Sequence, residues 1–163
     1  MHASERTRNV VRTVMAYLVT VDLAGCVLVP ADDATFDSAA YAGYVRVRVD
    51  GWGGENAHRL SGDPAEMARF RVVAECYVRN GEGSSAVRVD DADAAAEAVA
   101  AALRSRSLPL LDYVTDPTGA TAVTGHTVRF SEPPTYVTAP SIEGWSRRIV
   151  TASGWWVLHH TTG

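Results

Sequence analysis

With 163 residues, 47% of them hydrophobic, and a formal net charge of −4, the chain has the size and composition of one globular domain that buries an ordinary core. The mild acidity argues against a dedicated nucleic-acid binder, which carries a basic balance, and no run reaches the ~20 apolar residues that span a bilayer. Two cysteines far apart in sequence, Cys26 and Cys76, suit a reducing compartment better than a disulfide framework.

In chain order, Ser4 to Leu23 carries Val10, Val11, Val14, Leu18 and Val21 on one side, the spacing of an amphipathic helix that packs on a sheet. The same stretch has a second interpretation. Arg6, Arg8 and Arg12 precede an apolar run ending in Leu23-Ala24-Gly25-Cys26, which resembles a bacterial lipoprotein cleavage site, although Asp22 interrupts the approach to it. Cys26 to Pro30 is a short apolar strand or extended arm closed by proline, and Ala31 to Tyr41 is a polar loop holding Phe36.

Gly43 to Asp50 alternates strictly, with Val45, Val47 and Val49 on one parity and Tyr44, Arg46, Arg48 and Asp50 on the other. Gly51 to Glu66 is rich in glycine and contains Trp52; it is too long for a simple hairpin and is a candidate for partner contact. Ala68 to Arg79 alternates again, every even position apolar and Arg69, Arg71, Glu75 and Arg79 on the odd ones. Cys76 falls on the inward parity, where a thiol acts as a small buried hydrophobe.

After Asn80 to Ser85, a turn and helix cap rather than a phosphate loop, comes an alanine-rich helix. Its inner face runs Ala86, Val89, Ala92, Ala96, Val99 and Leu103; Asp90, Asp91 and Asp93 lie early and Arg104 and Arg106 late, as suits the helix dipole. Leu108 to Val114 is a short strand with a proline, and Thr124 to Ser131 alternates with His126, Val128 and Phe130 on one parity. Pro133 to Pro140 is an extended arm. Ser146 to His160 has apolar residues on both parities, which predicts a strand covered on both faces or broken by a bulge at Ser153-Gly154.

Together these features predict a single α+β domain over residues 1–163, a mainly antiparallel β-sheet with an N-terminal helix and one long alanine-rich helix packed on one face. No catalytic constellation accompanies them: His126, His159 and His160 have no metal-ligand spacing and no carboxylate partner in sequence, so neither metal nor cofactor is expected. The alternating strands do place Arg46, Arg48, Arg69, Arg71 and Arg79 on one sheet face. That face is either basic enough to meet an anionic partner or a solvated surface balanced by Glu75 and Asp50.

The order of these features resembles the tail terminator proteins of long-tailed bacteriophages, the lambda tail-terminator-like group. The matching features are the helix over Val10 to Val21, the Pro-ended run Val27 to Pro30 followed by Phe36, the Tyr44-Val45-Arg46-Val47 strand, and the Phe70-Arg71-Val72 strand running to Asn80-Gly81-Glu82-Gly83. The helix ending Leu103-Arg104-Ser105-Arg106 and the closing Gly144-Trp145-Ser146-Arg147-Arg148-Ile149-Val150 strand complete them. The resemblance implies a structural virion protein, not an enzyme, and one that uses no cofactor. Its subunits form a homo-oligomeric ring, typically a hexamer, that caps the tail tube at its head-proximal end, ends polymerisation and joins the head through a neck or connector protein.

Such a ring is assembled in the host cytoplasm, touches no membrane and binds no specific nucleic-acid sequence, although DNA passes through it. A ring needs two unlike patches per subunit. The arginine face and the acidic start of the long helix, Asp90, Asp91 and Asp93, are the expected pair, with Trp52 and the Pro133 to Pro140 arm as further contacts. The alternatives are another neck or head-completion protein, a surface lipoprotein acylated at Cys26, and a small enzyme built on His126.

Overall fold

The computed structural model of the protein describes residues 3–53, 65–80, 85–140, 142 and 144–159. Two α-helices, α1 (Ala3–Leu18) and α2 (Ser85–Leu103), accompany seven strands: β1 (Val27–Pro30), β2 (Gly43–Gly53), β3 (Ala65–Arg79), β4 (Ser107–Leu111), β5 (Ala122–Arg129), β6 (Thr135–Thr138) and β7 (Trp145–His159). The strands form one sheet in the order β1-β2-β3-β7-β5-β4, with β6 also on β7.

This corrects the expected fold class. The chain is mainly β rather than α+β, and its sheet is mixed, because β1 runs parallel to β2 while the other pairs are antiparallel. The sheet curls into a half-barrel instead of lying flat under one long helix. Covering it takes both helices: α2 packs on β3 and β7, whereas α1 contacts β1 and β2 near one edge and β4 at the other. Alternation along single strands could not reveal either feature, since parallel pairing and curvature depend on which strands become neighbours.

The spine is the antiparallel pair β3/β7, in register without interruption from Ala65↔His159 to Arg79↔Trp145. The expected bulge at Ser153-Gly154 is therefore absent from this ladder. The glycine has a packing role instead: a Cβ there would lie 2.6 Å from Phe70 Cζ and 3.0 Å from Phe130 Cε1, so Gly154 lets both rings cross the strand. Inward residues Phe70, Val72, Ala74 and Cys76 meet Ala95, Ala96, Val99 and Leu103 of α2 in one core. The alanines permit close approach, so strands rather than helix supply most of the apolar bulk.

Helix α1 inserts Val10, Val14 and Leu18, all fully buried, at intervals of four. On its flank Asn9 Oδ1 accepts from Tyr113 N at 2.8 Å and Thr13 Oγ1 accepts from Leu111 N at 3.0 Å. Two polar side chains one turn apart thus satisfy backbone amides in and just beyond the edge strand β4. The helix ends at Leu18, five residues before the sequence expectation. Leu23-Ala24-Gly25-Cys26 is a turn in which Ala24 (φ 55°) and Gly25 (φ 79°) are both left-handed and Asp22 Oδ1 accepts from Ala24 N.

The proline-flanked arm is also partly regular. Thr135 to Thr138 pairs with Thr151 to Arg148 as β6. Gly54 to Pro64, the centre of the expected contact loop, lies outside the described residues, as does the Gly81-Glu82-Gly83-Ser84 turn.

Candidate functional site

The sheet face turned away from the helices gathers side chains from β2, β3 and β7. Cross-strand pairing sets Tyr44 opposite Tyr77, Arg46 opposite Glu75 and Asp50 opposite Arg71, while Arg147 lies opposite Tyr77 and Trp145 opposite Arg79. Arg46, Arg48, Arg69, Arg71 and Arg79 are therefore on one face, as the alternation predicts, with Arg147 added from β7.

Glu75 is the centre of this face. One of its oxygens accepts from Arg48 Nη1 at 2.8 Å and Arg147 Nη2 at 3.0 Å, and the other accepts from the Tyr77 hydroxyl at 2.8 Å. Burial pushes the Glu75 carboxyl up, but the hydrogen bonds from Arg48, Tyr77 and Arg147 outweigh it and hold the group below the ordinary glutamate range. The same arrangement, led by burial and then the Glu75 hydrogen bond, raises the Tyr77 phenol to about 12. Arg71 Nε donates to Asp50 at 2.7 Å and Arg69 pairs with Glu132 at 3.2 Å, so three carboxylates neutralise much of the face from within the chain. Two donors remain inside it: the Nε atoms of Arg46 and Arg147 are buried with no hydrogen-bond partner among the described residues.

Beside the arginines lies an aromatic cluster that the sequence reading missed. Tyr44 stacks on Tyr77 at 4.7 Å, Phe36 meets Tyr44 at 5.0 Å and Tyr41 at 5.3 Å, and Trp145 meets Tyr44 edge-on at 5.2 Å. The Arg79 guanidinium covers Trp145 at 4.5 Å. The available signal was parity, since Tyr44 and Tyr77 share the arginine parity; Phe36, Tyr41 and Trp145 arrive from loops and a strand end.

The acidic residues chosen for the opposite patch do not join this face. Asp93 accepts from Arg148 Nε at 2.6 Å, a pair that ties α2 to the inner side of β7; Asp91 is exposed, and the Asp90 side chain lies outside those described. Trp52 is half-buried, meets Phe70 at 5.3 Å and donates through Nε1 to Thr7 Oγ1 at 2.8 Å, so it joins α1 to the sheet. Cys26 and Cys76 are free thiols, raised by burial to about 11 and about 12 respectively, and thus poor nucleophiles.

His126 is placed inward, where its Nδ1 accepts from Trp156 Nε1 at 3.1 Å. Burial and then the charge of Arg6 lower its pKa, so the neutral ring serves as a hydrogen-bond acceptor. His159 is exposed at the end of β7 and His160 lies outside the described residues. Among the described residues no three His, Cys, Asp or Glu side chains converge as a metal would require, and no helix is long and apolar enough to cross a membrane.

No protein-family model and no curated protein matches the chain. It is similar to a solved protein structure, without a descriptive name, at a TM-score of 0.53 and 13% identity, over 100% of this chain and 99% of that one. At that identity the likeness extends to the fold alone.

Proposed function

We propose that this protein is a structural component of a long-tailed phage virion, a tail terminator whose subunits close a ring on the tail tube and present the surface that joins the head. The observation that carries the proposal is the outer face of β2, β3 and β7. It is a curved face on which Glu75 fixes Arg48 and Arg147, beside an exposed row of Arg69 and Arg71. Such a face suits a carboxylate-bearing protein surface, which supplies oxygens to the accessible guanidinium groups.

The succession of α1, the Pro-ended β1, β2, β3, α2 and the closing β7 supports the same reading, because it is the order on which the family resemblance rests. The lipoprotein alternative would discard α1 on cleavage before Cys26, and with it Val10, Val14 and Leu18, which are fully buried. An enzyme using His126 would have to release that ring from Trp156.

Mixing the full-length chain with polymerising tail-tube protein tests the proposal by electron microscopy. Tubes of limited length capped by a ring are expected. Tubes of unrestricted length with no bound ring would overturn it, and ring binding without length control would reassign the chain to another neck or head-completion role.

A further inference from the structure

Head-to-tail association needs two unlike surfaces on one chain, and two unfilled ones lie at opposite flanks of the sheet. On one flank, β1 covers β2 only from Tyr44 to Val47. The chain then turns away at Pro30, where Asp33 N donates to Pro30 O, and leaves β2 unpaired on that side from Arg48 onward among the described residues. Between this open edge and α1 is a cavity of about 340 Å³ with apolar walls from Val11, Ala31 and Val49 and a rim of Arg8, Arg12 and Arg48 together with one carboxylate, Asp32.

On the other flank, β6 hydrogen-bonds to β7 alone among the described strands. All four of its residues are exposed, and Val137 is 60% exposed. Thr-Tyr-Val-Thr is a sequence of high strand propensity, so its free edge is an invitation to another strand, limited in length by Pro133, Pro134 and Pro140. Residues 131–144 carry no basic residue and two glutamates, of which Glu132 is paired with Arg69, so the segment brings no positive charge to the arginine rim.

We propose that β6 of one copy docks on the open edge of β2 in the next, with Val137 entering the cavity between α1 and β2, so that neighbouring sheets join through a heterologous contact. Donor and acceptor surfaces occupy different flanks, so the contact repeats head to tail from copy to copy. The subunit contact deepens the terminator reading and rests on it only for the closing of the ring on a tube. It differs from the pairing of arginine face with Asp90, Asp91 and Asp93 expected from sequence, and of the arginine face it engages Arg48 alone.

The test mixes two differently tagged full-length chains, both Cys26→Ala, one carrying Val137→Cys and the other Arg12→Cys, under mild oxidation. A disulfide between the two tags is expected, with little between like chains. Light scattering should show a concentration-dependent assembly that Val137→Glu and Arg12→Glu each abolish without changing the circular dichroism or the melting temperature. A wild-type chain that stays monomeric at every concentration, an assembly unaffected by Val137→Glu, or a disulfide formed chiefly between two Val137→Cys chains overturns the proposal. The two readings fail separately. Tube length still limited by Val137→Glu rings would sink this contact and keep the terminator; the expected disulfide with no effect on tubes would keep the contact and sink the terminator.

Discussion

On the helix side of β3, Phe70, Val72, Ala74 and Cys76 are at most 1% exposed and touch aliphatic or aromatic neighbours; one residue along the same strand, Arg69, Arg71, Glu75 and Tyr77 meet arginines, carboxylates and rings. The backbone ladder is shared, so the two faces differ only in what their side chains exchange with water. The inner face gains from apolar area removed from solvent, at about 25 cal/mol per Å². The outer face recovers, through pairing, the hydration its charges lose, and the net gain from each pair is small. Stability should therefore reside inside and recognition outside.

The comparison breaks most easily on the inner face. Phe70→Ala removes a ring that is 1% exposed and wedged against Phe130 at 5.9 Å and Trp52, and neither α2 nor the strands can close on the space. Urea unfolding should show a loss of about 3–5 kcal/mol. A loss below about 1 kcal/mol would mean that the half-barrel repacks freely and is not the core.

Glu75→Gln tests an outer charge that is nearly as buried as the core. It removes the charge that Arg48 and Arg147 share and turns the acceptor of Tyr77 into an amide, at an expected cost of about 1–3 kcal/mol at neutral pH; the partial exposure of Arg48 keeps it in that range. The sign with pH follows from a folded pKa below the unfolded one: the unfolded chain binds more protons, so the wild type gains stability as pH rises. That contribution is complete above the ordinary glutamate value of about 4.3 and fades as pH falls through the lower folded value. The wild-type and Glu75→Gln melting temperatures should converge in acid; parallel curves would show that Glu75 does not titrate as an anchored carboxylate.

Much of the inner face was legible in sequence because a period of two reports burial directly: the even residues of Ala68 to Arg79 and the His126, Val128, Phe130 parity all point inward. Neighbour relations were less legible. The parallel β1/β2 pair, the curl, and α1 spanning from β2 to β4 arise from contacts between segments up to 104 residues apart, such as Asn9 with Tyr113, and no local period encodes them. The arginine face and two of its acid partners, Asp50 and Glu75, followed from parity, whereas Glu132 did not, because it reaches Arg69 from a loop. Likewise β6 hid among prolines that set its limits without preventing its four pairs.

Asn9→Leu sharpens the contrast from inside, since it places a hydrophobe in the core and removes an acceptor. The Tyr113 amide then loses its 2.8 Å partner beside the edge strand. A cost of about 1–3 kcal/mol is expected, with faster hydrogen exchange at Tyr113 than at Leu111, whose amide still has Thr13. Equal exchange at both amides would mean that β4 frays as a unit and that α1 does not hold its edge residue by residue.

The smallest effect belongs to Arg71→Gln. Its ion pair with Asp50 is short at 2.7 Å, but the two side chains are 53% and 34% exposed, so water and salt screen them. The expected loss is below about 1 kcal/mol and should vanish in high salt, whereas binding to an acidic partner surface should fall and lose part of its salt dependence. Stability and binding then move independently, as they must if the exposed arginines are kept for contact and the fold is held from the other side of the sheet. A loss as large as that of Glu75→Gln would place Arg71 with the buried network instead, and would confine the contact surface to Arg69 and the edges of the sheet.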